Sequence, residues 1–446
     1  MSAYQETWRL AWPLILSNLS VPLLGITDVA VVGHLPEPHH LGAVAIGAVV
    51  FSVVYFAFGF LRMGTTGLVA QAYGRGDPVE LRAGLGRPIL LAFLIGVILL
   101  LSTEAIIRLS ALAFGPSPAV AAELETYLRV RLLGAPAALM NLVLLGWLLG
   151  LQNARGPMAL LIVTNALNIG LDLLFVLGFG WAVPGVAAAT VCAEYGGLAL
   201  GGWLARRALR GLAGAWSWPA LVDLAAFRRL LRVNRDIFLR SCSLQAAFLT
   251  FTALGSRQGE VILGANAILL NLQLLASYGL DGFAHAAEAM AGRAVGAGDR
   301  AGFRAAVRAG LAWSAGLALA LSIVFAAGGP IGIRVMTGLE EVRAVAGAFL
   351  PYMVLSPAVS VWAFLFDGVF IGATRTAEMR NGMALALLLF WALAFGLTPV
   401  LGNHGLWLAF LAFMAARGLW LGLVFLRIER GAGFVPSGPG LGGRTA

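Results

Sequence analysis

Long apolar stretches alternate with short polar ones along the whole chain. Windows of 18 or more apolar residues recur, and about 20 such residues suffice for a helix to cross the hydrocarbon core of a bilayer. The pattern predicts an all-α, polytopic membrane protein with about twelve transmembrane helices. The predicted spans lie near residues 10–33, 42–70, 88–108, 124–150, 159–178, 184–206, 236–256, 262–290, 304–327, 344–372, 381–400 and 405–427.

Composition agrees with a membrane protein and excludes several chemistries. Of the 446 residues, 60% are hydrophobic and 11% are charged, whereas a typical soluble domain has about 25% charged residues. All 30 basic residues are arginine, so the chain offers no lysine for a Walker A loop or for a Schiff base. The HExxH metalloprotease pattern is absent as well. We therefore expect neither enzyme activity nor a cofactor, and we expect an ion gradient to supply the energy.

The arginines are concentrated in alternate loops. They follow the predicted helices 2, 4, 6, 8, 10 and 12, while the intervening loops hold few. Because cytoplasmic loops of membrane proteins are enriched in basic residues, both termini are predicted to be cytoplasmic in a multi-pass protein of the inner (plasma) membrane. The same distribution explains the net charge of +9 without a nucleic-acid partner.

The two halves of the chain repeat each other. Residues 41–77 align on residues 263–299 without a gap, at an offset of 222 residues, the difference between Asp77 and Asp299. The same offset pairs GWLLG at Gly146 with GVFIG at Gly368. Each half holds six spans, an even number, so the repeats are parallel. We predict an amino lobe over 1–206, a cytoplasmic linker over 207–235, a carboxy lobe over 236–430 and a disordered tail over 431–446.

A single acid, Asp28, lies at the centre of the first span. A carboxylate costs about 2.5 to 3.5 kcal/mol in the middle of a membrane helix, so a functional role is the default interpretation. Pro22, six residues earlier, predicts a bend in this helix, because proline has no N–H to donate. The alternative is a structural acid that bonds to hydroxyls or amides of a neighbouring helix.

Polar residues form a second group in helices 4 to 6. Asn165, Asn168 and Asp172 lie at spacings of three and four and therefore share one face of helix 5. With Asp28 they offer oxygen ligands for sodium or a hydrogen-bonded site for a proton, and sodium at Asp28, Asn168 and Asp172 is the one metal considered. A polar network that only joins helices is the alternative. Further members of the predicted coupling site are Asn141, Thr190 and Glu194.

Helix 8 carries a third polar stripe, formed by Asp281, His285 and Glu288 at spacings of four and three. One histidine and two carboxylates on one helix lack the closed ligand set of a structural metal site, so no metal is expected there. The wall of a water-filled substrate cavity is the preferred interpretation, and Asp367 in helix 10 is predicted to join it.

Several strings together resemble the multidrug and toxic compound extrusion (MATE) family, and within it the DinF-like branch. They are TDVAVVGHL, QAYGRGD, NIGLDLLFVLGFGWAVPGVAAATVCAEY, LDGFAHAAEAMAGRAVGAGD and FDGVFIGATRTAEMRN. The resemblance implies two six-helix lobes around a V-shaped cleft, and bending of helix 1 at Pro13. It also implies an amino-lobe site for a cation or proton, formed by Asp28, Asn141, Asn168, Asp172 and Thr190.

We therefore expect a secondary active antiporter that exports organic, cationic or amphipathic compounds in exchange for protons or sodium ions by alternating access, as a monomer in the lipid bilayer. The alternative is a lipid or lipid-linked oligosaccharide flippase of the same superfamily, which needs a more cationic cleft for a pyrophosphate. Six acids in the spans argue against that alternative, namely Asp28, Asp172, Glu194, Asp281, Glu288 and Asp367.

The arginine distribution can be tested by labelling. In a variant in which cysteine replaces His39 and no other exposed cysteine remains, a membrane-impermeant maleimide should label intact cells, since this loop is predicted to be external. A cysteine at Trp216 in the linker should be labelled only after permeabilisation. The reverse pattern would mean that the orientation is wrong.

Overall fold

The computed structural model describes residues 1–33, 37–431 and 433–435, apart from the side chains of Pro22, Leu23, Leu24, Ile26, Asp28, Val29 and Pro38. Every regular element in this part of the chain is helical. A π-helical segment, Leu173–Gly178, directly follows the eighth α-helix. The α-helices are α1 (Ala3–Gly33), α2 (Pro38–Ala57), α3 (Phe60–Arg75), α4 (Pro78–Leu101), α5 (Thr103–Phe114), α6 (Pro118–Leu132), α7 (Ala135–Gly150), α8 (Arg155–Asp172), α9 (Ala182–Arg210), α10 (Trp218–Leu221), α11 (Leu224–Ser256), α12 (Glu260–Ala297), α13 (Arg300–Met336), α14 (Glu340–Gly372), α15 (Thr376–Leu401) and α16 (Asn403–Arg430).

The apolar helices confirm a multi-pass membrane protein. Within the described residues, ten helical segments are long and apolar enough to cross a bilayer, and the pair α6 and α7, which bends by 50°, provides an eleventh. The first of the twelve predicted spans falls in α1, whose central side chains lie outside the description, so this span stays a prediction.

The helices form two compact units. The amino unit comprises residues Leu16–Ala72 and Asp77–Asn234, and the carboxy unit comprises Met1–Ile15, Tyr73–Gly76 and Arg235–Ala446. Helix α1 is thus divided between the two units. The lobe boundaries inferred from the repeat stay a prediction.

The duplicated loops have the same local structure in both halves. Gly76 and Gly298 adopt positive φ angles of 65° and 71°, a conformation that glycine enters without a steric penalty. The next residue, Asp77 or Asp299, accepts a hydrogen bond from the backbone N–H three residues further on, at 3.0 Å and 2.8 Å. These bonds cap the first turns of α4 and α13. The internal repeat is therefore visible in the backbone as well as in the sequence.

Matching glycines allow helices to pack closely in each unit. A Cβ atom on Gly146 of α7 would collide with the backbone carbonyl of Arg62 in α3, and one on Gly368 of α14 would collide with that of Ala284 in α12. Both the glycines and their partners are related by the 222-residue offset. Glycine at a crossing lets two backbones approach, which is a common packing device in membrane helices.

Aromatic and amide side chains fill the interior of the carboxy unit. The rings of Phe251 and Trp407 meet edge to face, with centroids 5.0 Å apart. The indole of Trp407 donates to the Asn266 side-chain oxygen at 2.9 Å, and Asn403 donates to the same oxygen at 2.8 Å. Each buried donor thus has an acceptor, as a dry interior requires.

Two arginines of α4 hold the linker that follows α9. The Arg82 guanidinium donates to three backbone carbonyls near the end of α9, including that of Ala213 at 2.6 Å. Arg87 donates to the carbonyl of Ala220 at 3.0 Å and forms an ion pair with Glu80 at 2.8 Å. The predicted linker is therefore largely helical and fixed to the amino unit.

The first part of the predicted disordered tail packs against the carboxy unit. Phe434 and Val435 are 5% and 1% exposed, and the Phe434 ring lies 5.1 Å from that of Phe303 and 5.3 Å from that of Phe425. The structure differs from the prediction at these two residues. Although the segment is rich in Gly and Pro, its two apolar side chains are buried against aromatic rings of the carboxy unit. Residues 432 and 436–446 of the tail lie outside the described residues.

We predict that Gly368→Ala destabilises the protein, because the new methyl group would press on the carbonyl of Ala284. Forced overpacking costs about 1–3 kcal/mol. Gly396→Ala in α15 is the matched control, since a Cβ there has no atom within 4 Å. Thermal unfolding of the two variants in detergent measures the difference in stability. Equal unfolding midpoints would show that the close approach of α14 and α12 at Gly368 does not contribute to stability.

Candidate functional site

Asp172 lies at the point where α8 changes into the π-helical segment. Its side chain is 0% exposed, and that of Asn168 one turn earlier is 1% exposed. A π-helical turn adds one residue per turn, shifts the faces of the residues that follow, and occurs often at functional sites. Asp172, the acid of the fifth predicted span, is therefore buried where the regular α-helix ends.

The Asn168 side chain connects Asp172 to Thr190 of α9. The Thr190 backbone N–H can only donate, so the Asn168 oxygen must face it, at 3.1 Å, and this oxygen also lies 3.0 Å from the Thr190 hydroxyl. The Asn168 amide nitrogen then donates to the Asp172 carboxylate at 3.1 Å. The structure thus brings together three of the predicted coupling residues, Asn168, Asp172 and Thr190.

Asn165 lies on the same face of α8 and reaches α1. Its amide donates to the hydroxyl of Ser20 at 2.7 Å, and this hydroxyl donates to the carbonyl of Ser17 at 2.6 Å. Asn165 is 8% exposed and Ser17 is fully buried. A polar contact therefore joins the second half of α1 to the helix that carries Asp172.

Glu194 is held by a buried ion pair, and its role in coupling stays a prediction. Its carboxylate forms a bidentate ion pair with Arg131 of α6, at 2.8 Å and 3.0 Å. The Arg131 guanidinium also lies 4.8 Å from the centre of the Phe51 ring. Asn141 donates to the backbone carbonyl of Glu194 at 2.8 Å, which orients α7 against α9. These contacts explain both residues as parts of a buried ion-pair network.

The remaining coupling candidates are described in part. Pro13 is buried within α1, two residues before the chain passes from the carboxy unit to the amino unit. The side chains of Pro22 and Asp28 lie outside the description. One turn beyond Asp28, Val31 and Val32 are 5% and 1% exposed, so this part of α1 packs inside the amino unit.

The acidic stripe of the eighth predicted span lies on helix α12 of the structure. Glu288 is fully buried, while Asp281 and His285 are half-buried. Glu288 occupies a close crossing, because a Cβ on Gly372 of α14 would collide with its backbone carbonyl. The three residues share a face of one helix, as their spacing predicts.

Asp367 of α14 is held by two buried arginines, which differs from an open cavity wall. The Asp367 carboxylate accepts from Arg417 of α16 at 3.0 Å and also from Arg240 of α11. Arg417 is 2% exposed, and Asp281 also attracts it electrostatically. An acid with two guanidinium partners is held in place by charge-assisted hydrogen bonds.

The sequence interpretation missed three buried arginines that pair with acids, Arg131, Arg240 and Arg417. Each lies within an apolar span, and a charge in such a position predicts a buried partner. The sequence therefore indicated that each arginine has a buried acidic partner, although only the structure identifies that partner.

Three side chains near the start of α2 are the one group within the described residues that could hold a metal ion. Ligand atoms of Glu37, His39 and His40 all lie within 4.8 Å of one another. The His39 ring contacts the Glu37 carboxylate at 3.1 Å, and Glu37 is exposed. A contact between a histidine ring and a solvent-exposed carboxylate accounts for this arrangement.

The amide orientation bears on what the Asp172 site can bind. In the amide orientation that the Thr190 backbone N–H requires, the Asn168 oxygen faces Thr190 and the N–H group faces Asp172. A sodium ion prefers oxygen ligands, as other hard cations do, so a shared Asp172–Asn168 sodium site would require the amide to turn. The described geometry suits a hydrogen-bonded carboxylate.

Comparison with known proteins identifies the family. The MatE family model matches residues 13–174 and, a second time, residues 237–402. The chain is 46% identical to the DNA damage-inducible protein F of Escherichia coli K12 over 433 residues, which cover 96% of this chain and 93% of the relative. The two matches of one family model fall in the two halves of the internal repeat.

Solved structures have the same fold at low identity. A MOP superfamily transporter from Pyrococcus furiosus superposes with a TM-score of 0.87 at 20% identity, covering 97% of each chain. The Vibrio cholerae MATE transporter VcmN in its bent form superposes with a TM-score of 0.84 at 21% identity, covering 96% of this chain and 97% of that one. Fold, family match and 46% identity agree with the resemblance seen in the sequence motifs, and the chain belongs to the multidrug and toxic compound extrusion family, in its DinF-like branch.

Proposed function

We propose that this protein is a secondary active antiporter that exports organic, cationic or amphipathic compounds in exchange for an inward cation. The observation that carries the proposal is the buried cluster of Asp172, Asn168 and Thr190 in the amino unit. A carboxylate bonded to a neutral amide in a dry interior is costly as an anion, and uptake of a cation removes that cost. Membership of a transporter family supports transport as the activity.

We infer that the coupling ion is a proton. The support is the Asn168 amide, whose oxygen is taken by the Thr190 backbone N–H and whose nitrogen faces Asp172. A proton needs only the carboxylate, whereas sodium needs several oxygens. One charge that moves down about 100 mV supplies roughly 2.3 kcal/mol, which sustains roughly a fiftyfold gradient of a neutral substrate at one-to-one coupling.

Asp28 is proposed as the second acid of this site. Spans one and five run in the same direction, because each crossing reverses the chain, and the Asn165–Ser20 bond sets their relative register. Asp28 follows Ser20 by about 12 Å of helix rise, and Asp172 follows Asn165 by about 10.5 Å. This register supports two acids at one depth, and we propose that they share one proton.

Helix α1 is proposed to transmit the state of the site. Its first half is anchored on the carboxy unit, where Glu6 forms a bidentate ion pair with Arg293 at 2.6 Å and 3.0 Å and the Thr7 hydroxyl contacts the Met290 sulfur at 3.4 Å. Its second half carries Ser20 and Asp28 in the amino unit. Pro13 lies two residues before the division, where a missing backbone hydrogen bond eases bending.

The protein is further proposed to lie in the inner membrane of a bacterial cell, with both termini in the cytoplasm, and to act as a monomer. The arginine-rich loops support this orientation. Asp281, His285 and Glu288 are proposed to contribute to substrate binding in the carboxy unit. Asp367 is no longer proposed as a free acid of that cavity, since two arginines bind it.

We predict that Asp172→Asn and Asp28→Asn each abolish gradient-driven export, because asparagine keeps the size of the side chain and cannot bind a proton. Proteoliposomes with a proton gradient and a sodium gradient imposed separately measure the loss. The control is Asp223→Asn, which removes one exposed charge at the start of α11 and should transport normally. If either acid variant still concentrates substrate, its carboxylate is structural. Export that a sodium gradient drives and a proton gradient does not would rule out the proton as the coupling ion.

We predict different defects for two acids of the carboxy unit, one in substrate binding and one in stability. Asp281→Asn should change substrate range or affinity while proton coupling remains, since Asp281 lies in the carboxy unit and is not part of the proposed Asp172 site. Asp367→Asn should instead lower the stability of the protein, by about 3–5 kcal/mol, because it leaves Arg240 and Arg417 buried without their anion. Efflux competition with several compounds measures the first effect, and thermal unfolding measures the second. Wild-type efflux of every compound by Asp281→Asn, or an unchanged midpoint for Asp367→Asn, would contradict the assignment.

The flippase alternative is distinguished by the same proteoliposomes. Two of the six acids in the spans, Glu194 and Asp367, are paired with arginines. Only the other four therefore disfavour binding of a pyrophosphate. A flippase would move a fluorescent pyrophosphate lipid between leaflets irrespective of Asp172→Asn. An antiporter would move organic cations and would lose that activity in the variant.

A further inference from the structure

An apolar groove opens on the surface of the carboxy unit, mainly between α14 and α16. Its volume is about 600 Å³, and Trp362, Phe366, Gly422 and Leu423 are among the residues that line it. The Trp362 ring is 42% exposed and Leu423 is 65% exposed. These helices are long and apolar enough to cross the membrane, so the groove faces the hydrocarbon region of the bilayer.

Two glycines one turn apart give the groove its depth. A Cβ on Gly418 would lie 2.9 Å from the Trp362 side chain, so this glycine allows α14 and α16 to pack closely. A Cβ on Gly422 would lie 3.4 Å from the Phe366 ring, which is an ordinary contact distance. The groove at Gly422 therefore has room for additional atoms without a change in helix packing.

One end of the groove is strongly basic. Arg304 of α13 and Glu429 of α16 form an ion pair at 2.8 Å, which brings the ends of the two helices together. Exposed Arg308 lies one turn further along α13, and Arg427 and Arg430 flank Glu429 on α16. None of these three arginines forms an ion pair with another described residue. The joined ends of α13 and α16 thus carry these four arginines and one glutamate.

We propose that this groove binds an anionic phospholipid, with an acyl chain along Gly422 and Trp362 and the phosphate on Arg308, Arg427 and Arg430. Guanidinium groups bind phosphate with paired, charge-assisted hydrogen bonds. Basic pockets between transmembrane helices bind the headgroups of such lipids. A second copy of the chain is a poorer occupant, because a twofold contact across this surface would place two sets of arginines together.

The first test uses the full-length protein after removal of lipid in detergent. Native mass spectrometry and thermal unfolding follow the binding of cardiolipin, phosphatidylglycerol and phosphatidylcholine. The wild type should bind the two anionic lipids in preference to phosphatidylcholine. The variant R308A/R427A/R430A should bind them about tenfold more weakly or worse. The control R206A/R228A/R232A removes the same charge from exposed arginines of the amino unit and should keep the preference.

The second test fills the groove. Gly422→Leu should reduce the binding of all three lipids at this site, while Gly316→Leu in α13, where a Cβ has no atom within 4 Å, should leave binding unchanged. Equal binding of anionic and zwitterionic lipids by the wild type would overturn the proposal, as would unchanged anionic binding in the arginine variant. A dimer that Gly422→Leu dissociates would assign the groove to a second copy instead. If Gly422→Leu fails to fold, the arginine variant decides the question.

Discussion

A charge inside an apolar helix bundle needs a compensating partner, and much of this structure is arranged around that need. Glu194 is held by Arg131, and Asp367 is held by Arg240 and Arg417. Removal of one member of such a set leaves an uncompensated buried charge, which is far more costly than the net contribution of the intact set. These residues therefore constrain which helices can be neighbours within each unit.

Asp172 satisfies the same constraint in another way. It accepts a hydrogen bond from the Asn168 amide, whose orientation is fixed by the backbone of Thr190. The hydrogen bond from an amide is weaker than the charge-assisted bonds from a guanidinium. Glu194 and Asp367 are thus paired with arginines of neighbouring helices, whereas Asp172 is bonded to an amide of its own helix.

The general organisation could be predicted from the sequence, because helix length and hydrophobicity are local properties. The duplication was readable from identical residues at one offset, and its loops and glycine crossings have matching geometry. The stripe on α8 followed from helical periodicity. Pairing of Glu194 and Asp367 with arginines could not be predicted, since it depends on which helices meet. The π-helical turn after Asp172 and the burial of Phe434 have no periodic signature either.

The division of α1 between two units has a consequence for assembly during synthesis. The Glu6–Arg293 ion pair joins residues 287 positions apart, so the first half of α1 can form this contact only after α12 has been synthesised. The second half of α1 meets its partner at Asn165 much earlier. Closure of so long a loop comes late, after many local contacts exist. The beginning of the chain is therefore among the last segments to reach its final place, and a truncated chain that ends before α12 exposes it to quality control.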